Sequence, residues 1–166
     1  METTLAALEL AQKHHVYTIL NPAPAVPLDL DFLRRFGLIT PNQQEVTVLL
    51  GLDAQPAPEE LPDLLRKAGL FNAVVTLGSR GALMLNRKES LLFPALHVKV
   101  VDTTGAGDTF NAALAVMLGK GFSLPAAVEY AVNASAYSIT QHHVLASLPT
   151  SAQLEPRLQI IPSICI

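Results

Sequence analysis

The sequence offers little from which a disulfide framework, a membrane span or a nucleic-acid-binding surface could be built. Its single cysteine, Cys165, excludes both a disulfide framework and a cysteine-based metal site. A membrane helix needs about 18 consecutive apolar residues, and no apolar run is that long. The first residues also lack the basic and apolar regions of a signal peptide. Only 15% of the residues are charged, and the net charge is −3. We therefore expect a cytoplasmic protein without a nucleic-acid or membrane partner.

Two common ligand-binding patterns are also missing. No lysine follows the glycines in the GxxxxGK[ST] arrangement, which argues against a P-loop nucleotidase. Histidines occur as adjacent pairs at 14–15 and 142–143, but neighbouring residues of a helix do not share a face. Because no third ligand lies at a suitable spacing, a histidine-based metal site is disfavoured.

The 166 residues, half of them hydrophobic, suffice for one domain with a buried core. Apolar spacing and turn residues predict helices that alternate with strands. This alternation predicts an α/β fold with a mainly parallel sheet covered on both faces. The predicted helices are 3–14, 29–36, 43–50, 58–68, 108–119 and 125–140, and the predicted strands are 16–20, 37–40, 73–77, 82–86, 90–93 and 97–101.

The domain is expected to end near residue 150. Pro149 stops the preceding pattern, and Thr150 is a candidate cap for a last short helix. The stretch 158–166 is apolar but has neither helical nor strand periodicity. We therefore expect a domain over 1–150 and a poorly ordered tail over 151–166.

Loops that suit a ligand directly follow the predicted strands. They are 21–27, 41–45 and 78–81, and a glycine turn at 105–107 follows the predicted strand 97–101. In parallel sheets, ligands bind beyond the carboxyl ends of the strands. The four loops are therefore expected to gather at one edge of the sheet.

The glycine turn feeds an apolar helix and carries an acid. Gly105, Ala106 and Gly107 allow a close approach to a ligand, and the helix N-terminus supplies free N–H groups and a positive dipole end. Asp108 beside such an anion hole suggests phosphoryl transfer, with the carboxylate accepting the proton of an attacking hydroxyl. Alternatively, Asp108 only stabilises the helix through its dipole, by about 0.3–1 kcal/mol.

Two further loops have a local and a ligand-binding interpretation. Asn42 and Glu45 could support a hydrated Mg²⁺, or they could form a capping box at the start of a helix; the two are not exclusive. The loop 76–81 is, taken alone, a tight turn that uses glycine at positive φ. It becomes a nucleotide contact only together with the other loops.

Residues 101–111 closely resemble the signature of the ribokinase-like, or PfkB-type, carbohydrate kinases. Further resemblances lie in order at 20–25, 39–45, 75–81 and 147–150, so that together they cover about residues 2–150. The resemblance implies a three-layer α/β/α fold with a mainly parallel central sheet. It also implies an ATP-dependent sugar kinase, which transfers the γ-phosphoryl group to the 5-hydroxyl of ribose with Mg²⁺ and K⁺ as cofactors.

The same resemblance implies a role for individual residues. Asp108 would be the catalytic base and would touch the sugar, and Gly105, Ala106 and Gly107 would form the anion hole. Asn42 and Glu45 would belong to the phosphate and Mg²⁺ region. The implied ATP contacts are Asn42, Thr76, Leu77, Gly78, Ser79, Arg80, Gly81, Gly107, Asp108 and Asn133. The implied K⁺ site consists of Asp102, Thr104, Ser138, Gln141, His143 and Ser147.

Three departures from the family pattern bear on these expectations. His143 stands where glycine is common, in a bend that a histidine fits poorly at positive φ. Val132 stands where the family often has Asn or His, which makes Asn133 one residue late for an adenine contact. The chain matches only the C-terminal half of the family fold, so that the N-terminal half and the small β-lid are absent. An exposed sheet edge could then associate with another chain.

Two alternatives to a ribose kinase remain open at this point. The chain could be a non-catalytic nucleotide-binding fragment, because most sugar-binding residues would lie in the absent half. It could also be a kinase of the same family for another sugar or a nucleoside.

Overall fold

The computed structural model describes residues 2–166, which fall into two compact units. The first unit runs to Val75 and adds Leu85–Lys88; the second unit comprises Thr76–Met84 and Glu89–Ile166. Helices and strands alternate along most of the chain, as predicted. The helices are α1 (Glu2–Lys13), α2 (Leu30–Leu33), α3 (Gln43–Leu49), α4 (Leu61–Lys67), α5 (Ala106–Gly119), α6 (Leu124–Ser138), α7 (Val144–Ser147) and α8 (Ser151–Leu154). The strands are β1 (Ile19–Leu20), β2 (Leu38–Ile39), β3 (Ala73–Thr76), β4 (Ala82–Leu85), β5 (Ser90–Phe93) and β6 (Ile164–Cys165).

The strands of the first unit pair in parallel, as the alternating pattern predicts. Ile19 lies opposite Leu38 in the β1–β2 pair, and Ile39 lies opposite Ala73 in the β2–β3 pair. Helical crossovers connect these strands because parallel neighbours cannot be joined by a short hairpin. The core of this unit is built from aliphatic side chains that are almost fully buried: Leu8, Leu33, Leu38, Ile39, Val46, Leu61 and Leu65.

Helix ends in the first unit follow local sequence signals. Asn42 caps α3, and Glu45 returns the hydrogen bond. Gly69 ends α4 with φ +72°, a conformation that glycine adopts at little cost after a helix. The N–H of Leu70 then donates to Leu65 O at 2.9 Å, which satisfies a carbonyl of the last turn.

The second unit combines three strands with the helix pair α5 and α6. β5 and β6 are antiparallel, with Leu92 opposite Ile164. Leu114 of α5 is fully buried, as are Ala127 and Ala131 of α6. The small side chains of α6 allow close packing of helix against helix.

The predicted strand 97–101 is wrong. Residues 94–100 have no regular secondary structure, although 98, 100 and 101 are all valine. Pro94 has no N–H to donate to a strand ladder, and the N–H of Val101 donates to Ile139 O at 2.7 Å instead. β-prone side chains therefore did not produce a strand where the backbone had no partner strand.

The tail 151–166, which was expected to be poorly ordered, contains regular elements. Thr150 caps α8 with its side chain, as predicted, and Gln153 completes a capping box. A 3-10 turn over Glu155–Arg157 follows, and β6 then joins β5. The stretch 158–166 shows no local periodicity because its partners lie far away in the sequence.

Across residues 2–166, none of the helices has the length and apolar character needed to cross a membrane.

Candidate functional site

A cavity of about 460 Å³ lies within the second unit. Its lining is mostly apolar with a few hydroxyl and backbone groups, which is the usual character of a small-molecule site. The walls come from the loop 76–81, from the stretch 95–103, from the start of α5 and from one face of α6. The lining residues are Thr76, Gly78, Ser79, Gly81, Ala95, Leu96, His97, Val98, Val100, Thr103, Ala106, Gly107, Phe110, Val132, Ser135, Ala136 and Ile139.

The N-terminus of α5 forms part of the cavity rim. Gly105 is its N-cap with φ +79°, and a Cβ added there would lie 2.7 Å from Cγ1 of Val144. Gly107 lines the cavity, and a Cβ on it would meet no atom within 4 Å. The N–H of Ala106 donates to Thr103 O at 3.2 Å, whereas the other N–H groups of the first turn have no intrahelical partner and lie at the positive end of the helix dipole. The glycine turn therefore opens a helix N-terminus at the cavity, and anion binding there stays a prediction.

Asp108 follows this turn directly, in the first turn of α5. Its side chain is exposed and does not line the cavity. Asp108 is thus the next residue after the glycine turn, and its side chain is open to solvent.

The loop 76–81 is a tight turn, as its sequence predicts. Leu77 N–H donates to Gly81 O at 2.8 Å across a 3-10 turn over Gly78–Arg80. A Cβ on Gly81 would lie 1.9 Å from Phe93 O, so that only glycine fits there. Thr76, Gly78, Ser79 and Gly81 line the cavity. Leu77, which is buried, and Arg80 do not line it, although both were predicted as nucleotide contacts.

Asn133 is directed away from the cavity. Its side chain is 3% exposed and bonds the backbone of Gln159, with Nδ2 donating to the carbonyl at 3.1 Å and Oδ1 accepting from the N–H at 2.8 Å. Val132 lines the cavity instead.

Asp102 begins the loop that leads into the glycine turn. Its Oδ1 accepts the N–H of Thr104 at 2.9 Å. Hydrogen bonds from the Thr104 backbone and side chain lower the pKa of Asp102, and the positive potential of His142 and His143 adds to this. The carboxylate is therefore held in its charged form, as a cation ligand requires.

The other predicted K⁺ ligands lie at the end of α6 and in the segment that follows. Ser138 and Ser147 are buried, and their hydroxyls donate to Ser135 O and Val144 O, both at 2.8 Å. Gln141 donates from Nε2 to Thr140 Oγ1 at 2.8 Å. Each of these hydroxyl and amide oxygens keeps lone pairs that a cation could use.

His143 adopts φ +65° and ψ +146°, next to a region that is essentially confined to glycine. The segment is tied to the rest of the unit at both ends. Ile139 O accepts the N–H groups of Val101 and Asp102, and Val144 packs over Gly105. Within residues 2–166, no cluster of three or more His, Cys, Asp and Glu is arranged to hold a metal ion.

In the first unit, Asn42 and Glu45 form the capping box that their spacing predicts. Asn42 Oδ1 accepts the N–H of Glu45 at 2.8 Å, and Glu45 Oε2 accepts the N–H of Asn42 at 2.7 Å. Glu45 is 9% exposed and keeps a second carboxylate oxygen. The donor set of one carboxylate and one amide oxygen fits a Mg²⁺ that retains most of its waters.

Sequence reasoning missed two walls of the cavity. The face of α6 formed by Val132, Ser135, Ala136 and Ile139 has helical spacing of three and four residues, so periodicity could have revealed it. The stretch 95–98 carries no such signal, because an irregular segment has no period to detect.

The second unit thus places a largely apolar cavity against the free N-terminus of a helix, an arrangement typical of α/β proteins that bind nucleotides or other phosphorylated ligands. Comparison with known proteins is more specific. The family model of pfkB family carbohydrate kinases matches residues 1–151. The chain therefore belongs to the pfkB family, whose members are phosphotransferases.

Individual relatives agree with this family. A ribokinase of Schizosaccharomyces pombe is 36% identical over 161 residues, which are 93% of this chain and 51% of the relative. A deoxyribokinase of Salmonella typhi is 33% identical, over 96% of this chain and 53% of the relative. The chain spans about half the length of the curated relatives that it matches.

Solved structures agree with the predicted ribokinase-like α/β fold. A ribokinase of Thermotoga maritima superposes with a TM-score of 0.79 at 32% identity, covering 90% of this chain and 51% of that one. A ribokinase of Arabidopsis thaliana, solved with ribose and ATP, superposes with a TM-score of 0.84 at 25% identity, covering 92% and 51%.

Proposed function

We propose that the chain is the nucleotide-binding part of an ATP-dependent sugar kinase that phosphorylates the 5-hydroxyl of ribose. The observation that carries this proposal is the free N-terminus of α5 on the rim of the cavity, with Asp108 directly beside it. The solved Arabidopsis relative holds ribose and ATP, which supports the same ligand classes here.

In this proposal the adenine and ribose of ATP occupy the apolar cavity, between the loop 76–81 and α6. The γ-phosphoryl group lies against the N–H groups of Gly105, Ala106 and Gly107, where the helix dipole favours negative charge. Phosphoryl transfer depends mostly on such positioning and charge stabilisation. Because Gly107 has no Cβ, a phosphoryl group can come close to the backbone at this position.

Asp108 would accept the proton of the sugar hydroxyl while the hydroxyl oxygen bonds to the γ-phosphorus. At the same time, the bond between the γ-phosphorus and the bridging oxygen of the β-phosphate breaks. The products are ADP and ribose 5-phosphate. The exposed carboxylate, one residue from the anion position, can be reached by a sugar from the solvent side. A base in such a position contributes about 10²–10⁴-fold to rate.

Asn42 and Glu45 of the first unit would hold a hydrated Mg²⁺, an ion that keeps most of its waters and takes few protein ligands. Asp102, Thr104, Ser138, Gln141, His143 and Ser147 would hold K⁺. Asp102 would supply the negative charge of this site, and its Oδ1 accepts the N–H of Thr104 at 2.9 Å.

Ribose-dependent ADP release by the purified chain tests the proposal, with ribose, deoxyribose, fructose and nucleosides compared at equal concentration. We expect the highest kcat/KM with ribose. A clear preference for another substrate would reassign the enzyme within its family, as the deoxyribokinase relative allows.

A second candidate is a nucleotide-binding chain that acts only with a partner that supplies the rest of the kinase fold. Two observations favour it: the chain spans about half of its relatives, and β1 is an edge strand among the described residues. Val16 and Tyr17, just before β1, are 60% and 59% exposed, which suits an edge that another chain covers. Sugar kinase turnover by a demonstrably monomeric chain would exclude this candidate.

A further inference from the structure

The C-terminal segment 159–166 contacts two elements that build the cavity, although it lies beyond the region that the family model matches. On α6, Asn133 and the backbone of Gln159 exchange a pair of hydrogen bonds. One turn earlier, Glu129 Oε1 accepts the N–H of Ile161 at 2.8 Å. Glu129 and Asn133 are four residues apart, so they present one face of α6 to this segment.

The same segment then reaches β5. Ile161 is 5% exposed and anchors the crossing, and β6 pairs with β5 through Leu91 opposite Cys165. Ile166 N–H adds a bond to Ser90 O at 3.1 Å. The segment thus joins α6 to β5 by both hydrogen bonds and apolar burial.

Both elements also carry cavity walls. A neighbouring face of α6 lines the cavity through Val132 and Ala136, and the chain leaving β5 lines it through the stretch 95–98. We propose that residues 159–166 form a clasp that fixes the separation of these two walls, and that Asn133 is the positioning residue that holds the clasp on α6. Nucleotide affinity then depends on contacts that never touch the nucleotide. This inference rests on the proposed nucleotide site.

The substitution Gln159→Pro tests the clasp selectively. It removes the N–H that donates to Asn133, while Leu158 already has φ −57° and ψ +129°, the extended conformation preferred before proline. Gln159→Ala is the matched control, because it keeps both backbone groups and changes only an exposed side chain. A chain that ends at Leu158 removes the whole clasp without any substitution in α6.

Two measurements decide the proposal. In calorimetric titration with ADP, we expect Gln159→Pro and the shortened chain to bind about tenfold more weakly than wild type, and Gln159→Ala to stay within about twofold. In hydrogen exchange without nucleotide, we expect Gln159→Pro to raise exchange within 95–103 and 132–139. ADP affinity of Gln159→Pro within about twofold of wild type, or faster exchange confined to 158–166, would overturn the clasp.

The exchange measurement separates the clasp from the proposed function. If the wild-type chain bound no ADP, the proposed nucleotide site would fail. Exchange in 95–103 and 132–139 would still show whether the clasp holds the two walls.

Discussion

The backbone of His143, in the segment that follows α6, adopts a strained conformation that lowers the stability of the fold. His143 has φ +65° and ψ +146°, and backbone conformations of this kind cost non-glycine residues about 1–3 kcal/mol. The sequence alone pointed to this position, because a histidine stands where the family commonly has glycine. Its actual dihedral angles needed the structure.

His143→Gly should therefore stabilise the protein, by about 1 kcal/mol after the greater flexibility of glycine in the unfolded chain is subtracted. His142→Gly is the matched control, since His142 has no positive φ and should lose stability with the same change. Urea unfolding midpoints of the two variants measure the difference. Equal destabilisation by both would show that His143 is not strained.

Gly105 and Gly107 flank the same turn but are glycine for different reasons. In Gly105→Ala, the alanine would have to adopt a φ of +79°, and its Cβ would lie 2.7 Å from Cγ1 of Val144. We therefore expect a loss of stability of about 1–3 kcal/mol. Gly107→Ala meets no atom, so stability should hold or rise by up to about 1 kcal/mol.

Although Gly107→Ala should leave stability almost unchanged, we expect it to weaken ADP binding. The added Cβ of Gly107→Ala would point into the position proposed for the phosphate, so ADP affinity should fall by at least about tenfold in a well-folded protein. Thermal unfolding and ADP titration on the same samples check this. Undiminished affinity in Gly107→Ala would place the phosphate elsewhere.

At the scale of elements, α6 shows what sequence reasoning could and could not reach. Its bounds were predicted within two residues, and the observed Ser123 cap and the proline in the first turn agree with the start of the helix. Its two faces were not assigned: one lines the cavity, and the other holds the clasp. The resemblance suggested Asn133 as an adenine contact, although the family often has its Asn or His at the position of Val132. Val132 lines the cavity and Asn133 does not.

Irregular and short elements account for most other differences. The strand expected over 97–101 is wrong because β-prone side chains do not create a pairing partner. β6 was missed because its pairing with β5 spans more than 70 residues of sequence, which no local pattern encodes. Helix caps at Asn42 and Thr150, by contrast, were predicted correctly because they depend only on residues three positions apart.

Ala136→Leu tests the assignment of the α6 face. Ala136 lines the cavity, so a larger side chain should enter that space and weaken ADP binding with little loss of stability. Ala131→Leu is the control on the same helix, because Ala131 is fully buried outside the cavity and overpacking there costs about 1–3 kcal/mol. A large loss of stability in Ala136→Leu with unchanged affinity would contradict the assignment.

At the scale of the whole molecule, the family membership, the cavity of the second unit and the position of Asp108 together support the proposed kinase. The family and the fold rest on a match over residues 1–151 and on superposition with solved ribokinases. In the proposed function, the cavity and the α5 N-terminus hold the nucleotide. The chain spans about half of its relatives, so turnover is the step that has to be measured on the protein itself.

The most direct measurement is ribose-dependent ADP release by Asp108→Asn. The substitution keeps size and polarity and removes the basic carboxylate, so kcat should fall by about 10²–10⁴-fold while ADP affinity stays near that of wild type. Asp53→Asn, an exposed acid of the first unit, should keep wild-type kcat. Unchanged kcat in Asp108→Asn would contradict the assignment of Asp108 as the base of a sugar kinase.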